Sequence, residues 1–200
     1  MPRWASLEPL RERWFLAVLG LGVVLRALAM LGYRPALWFP DSYTYVVTAM
    51  RPRPDLVRPA GYSMFLRLFE PLHSFALVTG VQHLLGILTG VMVYLTARRL
   101  RAPAWAATLA CVPVLLDAYQ VELEHLLVSD TLFTALVVAA VCLAVRESGD
   151  RRGRMVRAGV IGLLVAAATL TRTVGLPLVV LLGAWLLYRE RGRVAVAAVT

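Results

Sequence analysis

Long apolar runs alternate along the chain with short polar stretches, many of them rich in arginine. An α-helix rises about 1.5 Å per residue, so roughly 20 apolar residues cross a hydrocarbon core of about 30 Å. The apolar stretch 158–188 is too long for one crossing, and we divide it at Arg172 into two short spans. The other predicted spans cover about residues 14–31, 75–97, 104–116 and 125–145.

This pattern predicts an all-α, polytopic transmembrane protein with about six spans and the start of a seventh at 194–200. Residues 1–13 are predicted as a cytoplasmic tail. Residues 32–74 are predicted as a long first outer loop that carries short amphipathic helices and is divided by prolines at 51–54. Because the chain stops inside an apolar run, we expect residues 1–200 to be the N-terminal part of a longer transmembrane domain.

Composition supports a membrane protein, since 60% of the residues are hydrophobic and 16% are charged. The net charge of +9 does not indicate a nucleic-acid partner, because the arginines cluster in short loops between spans. With the N-terminus inside, 14 arginines and five acids lie inside, against seven of each outside. The loop 32–74, an acidic turn at 117–124 and the break at Arg172 then all face outward from the cell membrane.

The first outward segment, Trp38–Tyr45, carries a carboxylate at the membrane boundary. Asp41 follows Pro40 and precedes Ser42, which favours a helix start, and the free N–H groups of a helix start attract anions. We predict Asp41 as the centre of an outward-facing active site. The alternative is that Asp41 only caps a short interfacial helix.

A second acidic residue, Asp130, is predicted about one and a half turns into the fourth span, where ionisable groups are costly and often functional. Asp41 and Asp130 together are candidate ligands for a divalent metal such as Mg²⁺ or Mn²⁺. Alternatively, Asp130 caps its helix or pairs with Arg26. For Glu122 and Glu124, a solvated turn is the favoured interpretation.

Two arginines lie within apolar stretches on the outward side. Arg172 is a candidate ligand for a lipid phosphate, because guanidinium binds phosphate through two parallel hydrogen bonds. The alternative for Arg172 is snorkelling to ordinary headgroups. Snorkelling is the favoured interpretation for Arg26.

Four weak motifs follow one another on the predicted outer side: Asp41-Ser42-x-x-Tyr45, Pro59-x-Gly61-Tyr62, Glu124-His125 through Ser129-Asp130-x-Leu132-Phe133, and Leu170-Thr171-Arg172. Their order resembles the N-terminal part of C-type (GT-C) membrane glycosyltransferases, in the group with protein O-mannosyltransferases and lipid A aminoarabinose transferases. The resemblance covers nearly the whole chain.

The resemblance implies transfer of a hexose or pentose from a polyprenyl-phosphate donor to a lipid, glycan or protein acceptor at the outer face. Asp41 is then the base or acceptor-orienting group, and Asp130 is a second catalytic acid at a position where relatives more often carry Glu. The further substrate-binding candidates are Arg172 near the donor phosphate, Arg58, Tyr45, Tyr62 and His125. Relatives also often have an acidic pair where this chain has Asp41 followed by Ser42.

Two other functional classes fit a polytopic chain. A transporter or lipid flippase would place ionisable groups near the membrane midplane and would contain paired broken helices. Only the break between Arg172 and Pro177 suggests this, since the charges gather at the outer surface. A non-catalytic membrane assembly subunit is the third possibility.

Overall fold

The computed structural model describes residues 12–52, 57–146 and 150–197, with side chains up to residue 188. These residues form an all-α bundle, which confirms the predicted fold class. Its helices are α1 (Arg13–Gly32), α2 (Pro40–Met50), α3 (Gly61–Arg67), α4 (Phe75–Arg99), α5 (Ala104–Leu116), α6 (Ala118–His125), α7 (Asp130–Ala144), α8 (Arg151–Thr171) and α9 (Leu176–Ala197). Short 3₁₀ turns occupy Glu70–Leu72 and Thr173–Gly175.

By length and composition, three helices of the described chain can cross a membrane: α1, α4 and α8. A fourth crossing results if α5 and α6, which meet at an angle of 48°, form one bent span. Helix α7 and the apolar part of α9 are shorter. The chain is therefore a multi-pass membrane protein, and the predicted count of six spans stays a prediction.

The predicted acidic turn at 117–124 is wrong, because most of it is helix α6. Asp117 adopts an extended backbone and its carboxylate accepts a hydrogen bond from Tyr119 N at 3.2 Å, so a new helix starts there. Residues 126–129 then leave the helical conformation, and α7 begins at Asp130. Asp130 is thus the first residue of its helix and does not lie one and a half turns inside a span.

Two arginine-rich stretches predicted as loops also contain helix. Helix α8 starts at Arg151, where the Asp150 carboxylate accepts a hydrogen bond from Gly153 N at 3.3 Å. Helix α9 continues to Ala197 through 189–193, because arginine is a good helix former. The prediction for the tail falls largely on residues 1–11, and those for the dividing prolines and the seventh span fall partly on 53–56 and 198–200. These residues lie outside the described part of the chain.

Helix α4 packs against α1, α5, α6 and α7, and α8 packs against α7 and α3. At the end where the chain enters and leaves the first loop, a buried cluster joins Tyr45 and Tyr62 of the loop to Val78 of α4 and Leu127. Elsewhere, Phe15 stacks on Tyr94 with ring centroids 3.8 Å apart. The loop is therefore part of the packed structure.

Candidate functional site

The first loop and the α6–α7 link run side by side through a short parallel bridge. Leu37 N donates to His125 O at 3.1 Å, and Leu127 N donates to Leu37 O at 3.2 Å. Asp41 lies four residues after Leu37, and Asp130 lies four residues after Leu126. Both predicted catalytic acids therefore lie in the first turn of a helix, at the same end of the bundle.

Phe39 is the N-cap residue of helix α2, and Asp41 takes no part in the capping hydrogen bond. The helix begins at Pro40, and the Ser42 hydroxyl accepts a hydrogen bond from Phe39 N at 3.0 Å. Asp41 occupies the second helical position, and its carboxylate forms an ion pair with Arg58 at 2.7 Å. The alternative that Asp41 only caps its helix is wrong, and the structure brings two of the predicted site residues together.

A second ion pair joins Asp130 to Arg172, with the guanidinium Nη1 of Arg172 donating to Asp130 Oδ1. Arg172 lies at the break between α8 and the 3₁₀ turn, so it reaches α7 from the end of its own helix. The expected alternative partner of Asp130, Arg26, is bonded elsewhere. Both side chains of the Asp130–Arg172 pair are more than a third exposed, which leaves them accessible from outside the protein.

Tyr45 connects the two ion pairs. Its hydroxyl oxygen lies 3.2 Å from Ser129 Oγ, directly before Asp130, and the Arg58 guanidinium lies 5.8 Å from the centroid of its ring. The Tyr45 ring also packs edge-on against Tyr62, with centroids 4.9 Å apart. Six of the seven predicted site residues therefore belong to one connected group.

Tyr62 is fully buried and donates from its hydroxyl to Gln82 Oε1 at 2.6 Å. Burial raises the pKa of Tyr62 well above its ordinary value, and Tyr45 and Asp130 raise it further. The phenol is therefore neutral and committed to a protein partner. Its hydroxyl is therefore not available for the predicted contact with substrate.

The predicted metal site stays a prediction. Each of its two proposed ligands, Asp41 and Asp130, bonds an arginine. Within the described ranges, no group of three or more His, Cys, Asp or Glu side chains is arranged to hold a metal ion.

Beside this group lies a buried charge cluster that the sequence interpretation missed. Glu124, expected in a solvated turn, is 0% exposed, and Arg26, expected to snorkel, is 3% exposed. Arg26 donates to both carboxylate oxygens of Glu124, at 2.7 and 2.6 Å. It also donates to the carbonyls of Leu115 at 2.8 Å and Val114 at 3.1 Å, at the bend between α5 and α6.

Two further buried residues, Gln82 and His83, join α4 to this cluster. The Gln82 amide donates to Glu124 O and Leu126 O, both at 2.8 Å, while His83 Nδ1 lies 2.9 Å from Glu124 Oε2. His125, the seventh predicted site residue, is 1% exposed with both ring nitrogens engaged by protein atoms. Neither ring nitrogen of His125 is therefore available for direct contact with a substrate.

A family model described as dolichyl-phosphate-mannose-protein mannosyltransferase matches residues 54–199. The chain belongs to this family. It is accordingly a membrane glycosyltransferase of the class that uses a sugar donor linked to a polyprenyl phosphate, as the motif resemblance implied. No curated protein and no solved structure matches the chain.

The family match contains Arg58, Tyr62, Asp130 and Arg172 of this glycosyltransferase, whereas Asp41 precedes the matched residues. The candidate site is therefore built from both parts of the chain. Asp41 is connected to the matched part by its ion pair with Arg58.

One sequence signal points to the missed cluster of the glycosyltransferase. Gln82 and His83 are adjacent polar residues inside an otherwise apolar span, and Arg26 is a single charge inside another. Polar groups in such helices face the bundle interior and bond one another. A solvated turn at 117–124 leaves Glu124 unavailable as a partner, so the sequence favours snorkelling for Arg26.

Proposed function

We propose that this chain belongs to an enzyme that transfers a sugar from a polyprenyl-phosphate donor at the outer face of the cell membrane. The observation that carries the proposal is the pair of accessible Asp–Arg ion pairs joined by Tyr45 at one end of the bundle. Arg98 and Arg99 end helix α4, and Arg151 and Arg152 begin helix α8, in each case at the end of the helix away from the candidate site, which supports a cytoplasmic assignment for these helix ends.

The reaction joins an acceptor hydroxyl oxygen to the anomeric carbon of the donor sugar. The bond from that carbon to the phosphate oxygen breaks, and its electron pair leaves with the polyprenyl phosphate. Asp41 accepts the hydroxyl proton or orients the hydroxyl, a role suited to a carboxylate at a helix start. Arg172 binds the phosphate, where a fixed cation stabilises the charge of the leaving group.

Before the substrates bind, each acid is already paired with an arginine. Ion pairs this exposed contribute only about 0–1 kcal/mol, so exchange of partners costs little. A donor phosphate that takes Arg172 releases Asp130 toward the substrates. Release of Arg58 frees Asp41 in the same way. The contact between Tyr45 and Ser129 keeps Asp41 and Asp130 in fixed relative positions during this exchange.

The family description names mannose as the sugar and protein as the acceptor. We therefore propose a polyprenyl-phosphate-linked hexose, tested first as mannose, and a hydroxyl-bearing peptide as the first acceptor. A pentose donor and lipid or glycan acceptors form the other arms of the same assay. Membrane lipids surround the site, and no nucleic acid takes part.

Transfer of radiolabelled mannose from its polyprenyl-phosphate donor in membranes that contain the protein tests the proposal. Asp41→Asn removes the carboxylate charge with little change of shape, and we expect a loss of about 10²–10⁴-fold. Glu122→Gln is the matched control, since Glu122 is exposed on α6 and outside the site. Normal transfer by Asp41→Asn would overturn the assignment of Asp41.

A chelator added to the same assay tests the predicted metal. Asp41 and Asp130 can hold Mg²⁺ or Mn²⁺ only after both arginines move away. Loss of transfer on chelation, restored by one of these ions, would support a metal site there. Unchanged transfer would remove the metal from the proposal.

Sidedness is tested by cysteine labelling in a Cys111→Ala/Cys142→Ala background. Leu72→Cys lies in the first loop and Arg151→Cys lies at the start of α8, and both positions are exposed. A membrane-impermeant maleimide added to intact cells is expected to label position 72 alone. Labelling of position 151 alone would reverse the orientation.

A further inference from the structure

A continuous chain of hydrogen bonds runs from the buried Glu124 to Tyr33 O, just after the end of α1. His83 Nδ1 lies 2.9 Å from Glu124 Oε2, and His83 Nε2 lies 2.9 Å from His125 Nδ1. At the other end, His125 Nε2 lies 2.7 Å from Tyr33 O. All four ring nitrogens of the two histidines are thus within hydrogen-bond distance of one partner.

The number of protons in this chain follows from its ends. Tyr33 O only accepts, so His125 Nε2 carries a hydrogen. An ionised Glu124 also only accepts, so His83 Nδ1 carries a hydrogen. The bond between the two rings needs one more. The two imidazoles then carry three protons, whereas two neutral imidazoles carry two. If one of the three protons moves onto Glu124, both rings are neutral and the hydrogen-bonded series still holds three protons.

The surroundings favour an ionised Glu124. Its carboxylate receives two hydrogen bonds from Arg26 and a longer one from Gln120 Nε2 at 3.3 Å. The charged groups that bond the chain are Arg26 from α1 and Glu124 from α6. Helix α5 contributes only carbonyls, which bond Arg26, and α4 contributes His83 and the neutral Gln82. The additional proton therefore belongs to the imidazole pair.

We propose that His83 and His125 share one buried proton, and that this proton makes them positioning residues for sugar transfer. The positioning role in sugar transfer rests on the proposed function, whereas the presence of the shared proton does not. Neither histidine touches substrate. They act through the link at 126–129, which carries Ser129 and leads to Asp130.

Loss of the shared proton leaves two ring protons for three hydrogen bonds, so one bond is lost: the bond of His83 to Glu124, the bond between the two rings, or the bond of His125 to Tyr33 O. Tyr33 is the first residue after α1, and Leu37 bridges to His125 O and Leu127 N a few residues later. Loss of the bond to Tyr33 O, or movement of either ring away from its partner, loosens the bridged segments that lead to Asp41 and Asp130.

The proton is counted by NMR of the protein labelled with ¹⁵N-histidine. The chain has three histidines, and the exposed His73 serves as the internal reference, assigned with His73→Ala. We expect three of the four ring nitrogens of His83 and His125 to carry hydrogen in the folded protein. Two protonated nitrogens in the folded protein would overturn the proposal.

The positioning role is tested by the pH profile of transfer. As pH rises through loss of the shared proton, we expect kcat of the parent to fall about tenfold per pH unit, with donor KM little changed. His83→Gln and His125→Gln remove the shared proton, so each should have a lower kcat without this alkaline fall. An alkaline fall that persists in both folded variants would overturn the role, while the NMR count needs no variant of either residue.

The two proposals fail differently. If Asp41→Asn keeps normal transfer, the proposed role of Asp41 fails and the proton count is unaffected. If the proton count is two, the shared-proton proposal fails and the assignment of Asp41 is unaffected.

Discussion

The hydroxyl oxygen of Tyr45 lies 3.2 Å from that of Ser129, which is 84 residues further along the chain. This contact fixes helix α2 of the first loop to the start of α7. It also places the Asp41–Arg58 pair, through the cation–π contact of Arg58 with Tyr45, beside the Asp130–Arg172 pair.

A double-mutant cycle with Tyr45→Phe and Ser129→Ala measures this connection. We expect a coupling free energy of about 0.5–1.5 kcal/mol, typical of a buried hydrogen bond between neutral groups. Unfolding in detergent provides the measurement. Strictly additive effects would show that the two hydroxyls do not interact. Tyr43→Phe is the control, because Tyr43 is exposed on the same helix.

Removal of the Asp130 charge should tighten donor binding while slowing transfer. Asp130→Asn leaves Arg172 without its carboxylate partner, so the donor phosphate no longer competes for the guanidinium. We expect donor KM to fall up to about fivefold, equivalent to about 1 kcal/mol, and kcat to fall as well. Arg172→Ala should raise donor KM. A higher donor KM in Asp130→Asn would contradict exchange of partners at Arg172.

Substitutions of Arg26 and Glu124 distinguish the contribution of their charges to stability from the contribution of their packing. Glu124→Leu alone leaves a buried guanidinium without its counterion, with an expected cost of about 3–5 kcal/mol. Replacement of both residues, as Arg26→Met/Glu124→Leu, should recover most of this stability, because apolar pairs of similar volume often replace buried ion pairs. Thermal unfolding in detergent tests this, and a double variant no more stable than the single one would contradict it.

Gly61 is required by the close approach of α3 to the end of α8. A Cβ at this position would lie 2.8 Å from Thr171 N and closer still to the carbonyl of Leu170, and neither backbone atom can move aside alone. Gly61→Ala should therefore destabilise the protein by about 1–3 kcal/mol and reduce transfer. Gly162→Ala is the matched control, since a Cβ added there would meet no atom within 4 Å.

In that control, alanine inside a helix should be neutral or stabilising by up to about 1 kcal/mol. Equal effects of the two substitutions on the unfolding temperature would argue against the close approach. Retained transfer by Gly61→Ala would show that the site tolerates movement of α3.

The raised pKa of Tyr62 predicts a specific alkaline sensitivity. The folded state favours the neutral phenol, so its contribution is fully present below the ordinary pKa of 10.0 and is lost as pH rises above it. Tyr62→Phe should lower stability near neutral pH, since Gln82 Oε1 loses its donor, but flatten the alkaline decline. Unfolding midpoints between about pH 8 and 11 provide the test.

Hydrophobic runs and arginine placement predicted the all-α polytopic class and the break at Arg172, because span length and charge are properties of local sequence. The resemblance to GT-C glycosyltransferases implied seven site residues, and the structure joins six of them through Tyr45. Helix starts were less predictable. The capping hydrogen bond of α2 joins Phe39 and Ser42 and does not involve Asp41, and a helix follows Asp117 where a turn was expected.

The buried cluster was not predictable in the same way, since its bonds join residues far apart in sequence. Arg26 and Glu124 are 98 residues apart, and His83 and Glu124 are 41 apart. Glu124 also needs the space left by Gly86, whose Cβ would occupy the position of the carboxylate. Local pattern cannot distinguish Glu124 from Glu122, because the difference lies in which face of α6 meets α4.

The close approach of Gly61 to the end of α8 affects the order in which the protein folds during synthesis. The first loop leaves the ribosome long before Leu170 and Thr171, which form the surface on which α3 rests. Domains begin folding from the N-terminus during synthesis, but α3 cannot pack in its final position until the end of α8 has been synthesised. The loop therefore reaches its final position only after α8 has been inserted, and a nascent chain stopped before residue 170 exposes α3 to chaperones and proteases.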